Sequence, residues 1–115
     1  MILFITGLMI GCSKDQGREG NNPGTPPANN CDGVNAKFAA DLLPLLQTSC
    51  ATSSGCHADG SINGPGPLTN FNQIKNAANE IKTAVVSGRM PIGGSLSSAQ
   101  VRQIRCWVDN GALNN

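Results

Sequence analysis

Cys56 and His57 stand side by side, Cys50 precedes them, and Met90-Pro91 follows further along the chain. Two thiols, an imidazole and a thioether are the groups a protein needs to hold haem covalently and ligate its iron. The usual attachment spacing is C-x-x-C-H. Here it is C-x5-C-H, with Ala51, Thr52, Ser53, Ser54 and Gly55 between the thiols. His57 is the only histidine, so any metal bound through imidazole is bound there.

In this reading Cys56 forms a thioether to one haem vinyl group, Cys50 bonds the other, and His57 is the proximal ligand. The longer spacing makes three residues loop out. Four of the five intervening residues are Ala, Thr or Ser, and Gly55 reaches backbone angles closed to other residues, so a bulge is feasible. Met90 is the expected distal ligand, since a thioether opposite histidine is an established axial pair that raises the reduction potential. Pro91 restricts the backbone directly after it. The plain alternative for Met90 is a gap-filling core side chain.

These groups fall in two loops on a helical scaffold. The pattern predicts an all-α domain of three helices with long loops. The first helix covers about Asn35 to Thr48, with Phe38, Leu42, Leu45 and Leu46 at helical spacing and Pro44 as an internal kink. The second covers about Asn70 to Ser87, capped by Asn70 and stopped by Gly88, with a stripe of Phe71, Ile74, Ala78, Ile81 and Val85. The third covers Ser98 to about Asn110, opened by a Ser97/Gln100 capping box, with Val101, Ile104 and Val108 on one face beside Trp107. The loops Ala51–Leu68 and Arg89–Gly94 carry the chemistry, as loops on a rigid scaffold commonly do.

The N-terminal region is of another kind. Residues 1–11, MILFITGLMIG, are almost wholly apolar and uncharged, too short to span a bilayer but of the length of a signal-peptide core. They end at Cys12 in a run that resembles a bacterial lipobox, which implies lipidation of Cys12. A plain cleaved signal peptide is the alternative. Residues 13–30 hold no aliphatic side chain larger than Ala28 and read as a tether with an r.m.s. reach of roughly 20–25 Å. The layout is therefore a signal peptide (1–11), a lipidated cysteine and tether (12–30) and one folded domain (31–115). The expected location is the cell envelope, membrane-anchored and facing the periplasm or the cell surface.

A net charge of +1 with scattered basic residues gives no nucleic-acid footprint. Large side chains are few, so a chain of 115 residues needs staples such as disulfides, a metal or a cofactor. Of five cysteines, assigning Cys12 to lipid leaves Cys31, Cys50, Cys56 and Cys106 in an oxidising compartment. If haem takes Cys50 and Cys56, then Cys31 and Cys106 remain to pair. Without haem, two disulfides form, Cys31–Cys106 and Cys50–Cys56. Both alternatives contain Cys31–Cys106.

Cys56-His57, Met90-Pro91, the leading helix ending near Cys50 and the closing stretch Ser97–Asn115 together resemble the small class I-like c-type cytochrome domains, particularly their bacterial lipoprotein versions. The resemblance covers about residues 31–115. It implies a cytochrome c-like fold, covalent haem c, and single-electron transfer between redox protein partners without substrate chemistry. The alternative is a haem-free, disulfide-stapled binding or structural lipoprotein of the same fold. An enzyme has little support, with no carboxylate pair near His57 beyond Asp59, no multi-histidine cluster and no G-x-S-x-G elbow.

Overall fold

The computed structural model describes residues 31–115. The expected signal segment, the lipidated Cys12 and the tether lie outside the described residues. Within them the chain is all-α, with no strand and no helix long and apolar enough to cross a membrane.

The first helix begins at Phe38, later than expected, and begins wide. Over Phe38–Leu42 the bonding runs from residue i to i+5, with Leu42 N donating to Lys37 O at 3.1 Å. The spacing tightens into a regular helix, α1, over Leu43–Ser49. Pro44 marks the change. It has no N–H to donate and sits in the first turn of α1, where none is required. The expected kink therefore takes the form of one wide turn. Its open amides are met from elsewhere. Lys37 N donates to the Asp41 carboxylate at 2.8 Å, while Phe38 N and Ala39 N donate to the side-chain and main-chain oxygens of Asn115 at 2.9 and 3.0 Å.

The second expected helix is present as two, α2 over Phe71–Asn76 and α3 over Ala78–Val86. Asn70 caps α2 by accepting from Gln73 N at 3.1 Å. Ala77 departs from helical angles (φ −95°, ψ 7°), yet Ile81 N still donates to its carbonyl, so the axis bends without a gap. The buried face runs on through the bend, because Ile74, Ala77, Ala78, Ile81 and Val85 are all buried. Gly88, at φ +75°, supplies the stop. The last helix, α4, spans Ser98–Asp109 and has both bonds of the Ser97/Gln100 capping box.

Phe38 lies at the centre of the core. Its ring meets the edge of Phe71 at 5.0 Å and lies 5.8 Å from Trp107. Leu42, Leu46, Ile74 and Ile104 are at most 1% exposed around it. Trp107 is buried but keeps its polar N–H satisfied on Leu113 O at 2.9 Å. α4 packs on α3 and on the wide turn, and Lys82 of α3 pairs with Asp109 of α4. Lys75 reaches from α2 to the carbonyls of Gly111 and Ala112, at 3.0 Å each, just past the end of α4. The Cys31–Cys106 disulfide is formed and closes a 75-residue separation.

Candidate cofactor site

Cys50 caps the C-terminal end of α1 and is 8% exposed. The chain then makes a tight excursion. Cys56 N and Ala58 N both donate to Ser53 O at 3.0 Å, and His57 N returns to Cys50 O at 3.0 Å. That last bond is the local answer to the longer spacing. The extra residues fold outward, and the residue after the second thiol is pinned to the carbonyl of the first. Ser61 Oγ donates to Cys56 O, and Asn63 Nδ2 donates to Gly55 O at 2.7 Å, bracing the outer arc.

His57 is held at three points. Its N–H is on Cys50 O, its carbonyl accepts from Leu68 N at 2.8 Å, and its ring Nδ1 lies 3.0 Å from Gly66 O. A carbonyl only accepts, so Nδ1 carries a proton, and in the neutral ring the lone pair is on Nε2. The ring is buried, which restricts its rotation further. Gly66 takes φ +99°, a conformation that side-chain-bearing residues rarely adopt, and so turns the chain there. An imidazole whose Nδ1–H is fixed on a main-chain oxygen is the arrangement that orients a metal-ligating histidine.

A cavity of about 610 Å³ opens beside this ring, within the range of small-molecule and cofactor sites. Cys50, Cys56, His57 and Met90 all line it. Ile81, Ala84 and Val85 of α3 form an apolar wall. Met90 is half-buried, and its N–H donates to Ala84 O at 3.2 Å, which ties the Arg89–Gly94 loop to α3. The four residues singled out by type are thus brought to one cavity. Cys31 and Cys106 do not line it; they form the disulfide.

The two cavity cysteines are both free and differ in environment, so the Cys50–Cys56 bridge of the haem-free alternative is not formed. Burial pushes the Cys50 thiol up, and the neighbouring Cys56 adds to this. Cys56 is exposed, and the hydroxyls of Thr52 and Ser53 hold its thiol below the usual range. Asp59 accepts from Thr69 Oγ1 at 3.0 Å.

The donor set limits what could bind. No group of three or more His, Cys, Asp or Glu capable of holding a metal ion exists among the described residues. Structural and catalytic zinc sites need three or four such ligands. One imidazole with a free lone pair, one thioether and two thiols suit a prosthetic group that supplies its remaining metal ligands itself. The residues therefore fit a covalently held haem.

Four contributors were not read from the sequence. Gly66 acts through its carbonyl, α3 serves as cavity wall as well as core, and Glu80 and Arg89 line the cavity as its charged members. The core stripe of Ile81 and Val85 was the only hint of the wall. Comparison of the chain with protein-family models, with curated proteins and with solved structures finds no match.

Proposed function

We propose that residues 31–115 form a class I-like c-type cytochrome domain that holds one covalent haem c and passes single electrons between redox protein partners. Cys12 anchors it by lipid to a membrane of the cell envelope, facing the periplasm or the cell surface. The observation that carries this reading is His57, buried, lining the cavity and locked by Gly66 O so that in the neutral ring the lone pair is on Nε2. Cys50 and Cys56 would hold the group covalently, His57 and Met90 would bind its iron, and the group would supply a reversible one-electron change there.

The chain's own residues have definable tasks. The Gly66 carbonyl keeps the ring in one tautomer and one orientation. The bond from His57 N to Cys50 O sets the two thiols and the ring in a fixed order around the excursion. Ile81, Ala84 and Val85 give the cavity an apolar wall, which together with the thioether of Met90 would favour a high potential in a bound haem.

The test is to produce the full chain in a host that matures c-type cytochromes. Absorption spectra of the oxidised and reduced protein are recorded, followed by haem staining after denaturing electrophoresis. The expected result is a sharp reduced band and retained haem. A colourless, iron-free protein refutes the proposal, and so does a Cys50–Cys56 disulfide in the purified product.

A further inference from the structure

Asn is followed directly by Gly at two places in the chain, Asn63-Gly64 and Asn110-Gly111. In this dipeptide the main-chain nitrogen of Gly can attack the side-chain amide before it, because no side chain hinders its approach. All four residues are exposed, so solvent access does not separate the two sites. Their bonding does. Gly111 N donates to Val108 O at 3.0 Å, Asn110 N donates to Cys106 O at 2.9 Å, and Lys75 holds Gly111 O. The attacking nitrogen there is tied into the end of α4. Gly64 N makes no hydrogen bond among the described residues. Gly111 is also required as glycine by its φ of +103°. Gly64 has no such reason, since its φ lies outside the left-handed region and a Cβ added there meets nothing within 4 Å. Asn63 lines the cavity, and its Nδ2 donates at 2.7 Å to Gly55 O, the carbonyl directly before Cys56.

From this we infer that Asn63 is a modification site: it deamidates spontaneously in the folded chain, which places a carboxylate at the rim of the cavity and releases the arc that carries Cys56. The inference goes beyond the haem reading and does not depend on it. Gly64 N gives up its proton and bonds to Cγ of Asn63. The Cγ–Nδ2 bond breaks and ammonia leaves with that proton, closing a five-membered imide. Water then adds to either imide carbonyl and opens the ring to Asp or to isoaspartate, and no other reactant is needed. Both products lack the N–H that meets Gly55 O, and a carboxylate facing a carbonyl offers only acceptors. Isoaspartate also lengthens the main chain by one carbon, directly beside the Asn63 N bond to Ser61 Oγ. The competing role for Asn63 is a brace alone, its bond to Gly55 O holding the side chain away from Gly64 N.

The experiment incubates the full, porphyrin-free chain in mildly alkaline buffer and follows Asn-to-Asp conversion by peptide mass spectrometry, which resolves the two sites. Freeing Gly111 N means opening the hydrogen bonds at the end of α4, so Asn63 should convert about tenfold faster than Asn110. In the urea-unfolded chain the two rates should agree to within about twofold, because the fold no longer distinguishes them. Gly64→Ala, for which the fold has room, should lower the Asn63 rate to that of Asn110 or below and leave the urea midpoint in place. Asn63→Asp supplies one product directly. It should speed deuterium exchange at the Cys56 and Ala58 amides about fivefold, as expected for one lost brace. Equal rates in the folded chain overturn the assignment and leave Asn63 as a brace. A folded ratio that persists in urea overturns it too, since the ratio then belongs to the neighbouring residues and not to the fold. Unaltered exchange in Asn63→Asp overturns the release of the arc. None of these outcomes touches haem uptake, so a failure here is distinct from a failure of the cytochrome reading.

Discussion

Breaking the Cys31–Cys106 bridge tests whether this domain is as dependent on cross-linking as its small core implies. The bridge spans 75 residues and encloses the wide turn, α1, α2, α3 and most of α4. In the chain-entropy model a loop of that size restricts the unfolded chain by about 4.5 kcal/mol at 25 °C. Cys106 is 0% exposed, so replacing it by Ala also removes packed sulfur, at about 1 kcal/mol more. Cys31 is only half-buried and takes Ser without burying a hydroxyl. The Cys31→Ser/Cys106→Ala variant should therefore lose about 5 kcal/mol. Stability of about 0.05–0.15 kcal/mol per residue is usual for natural domains, so that loss equals a large part or all of what 85 residues supply. The assay is urea unfolding of the porphyrin-free chain. Trp107, the only tryptophan, is 3% exposed and adjacent to Cys106, so its fluorescence reports on this region. The variant should be largely unfolded without denaturant, or melt far below the parent with a similar slope. A loss below about 1 kcal/mol at unchanged slope refutes the reasoning, because the unfolded chain would then have to be nearly as confined without the bridge.

In the porphyrin-free chain iodoacetamide should modify Cys56 well before Cys50, as followed by peptide mass spectrometry, because one thiol is exposed and the other buried. Thiolate is the reacting form, so Cys56 should reach half its maximal rate at a lower pH than an ordinary thiol and Cys50 at a higher one. In matured protein His57→Ala should abolish the low-spin spectrum, whereas Met90→Ala should keep covalent haem, change its ligation and lower the potential. An untouched spectrum in Met90→Ala would assign the distal position to another residue. Phe38→Ala should cost about 3–5 kcal/mol in the same urea assay, since it removes the ring packed between Phe71 and Trp107. A cost below 1 kcal/mol would show that the core closes over the gap.

Features with local causes were legible in the sequence. Asn70, Gly88 and the Ser97/Gln100 pair act within four residues of themselves, and each does in the fold what its type dictates. Pro44 announced an interruption but not its form, because the wide turn is capped by Asn115, 77 residues away from Phe38. The bend at Ala77 had no signal, for neither Gly nor Pro stands there and two adjacent alanines are good helix formers. Cys50, Cys56, His57 and Met90 were found by side-chain chemistry, and the fold brings all four to one cavity. The acceptor that fixes the histidine was invisible to that approach. It is a main-chain oxygen at Gly66, and every residue has one.

The grip of Asn115 on Phe38 and Ala39 has a consequence for the order in which the domain is made. A ribosome delivers the chain from its amino terminus. The opening amides of the first described helix then wait, solvated, until Asn115 arrives. Residue 115 closes on residues 38 and 39, so a nascent chain that has not reached Asn115 lacks the clasp that completes the first described helix.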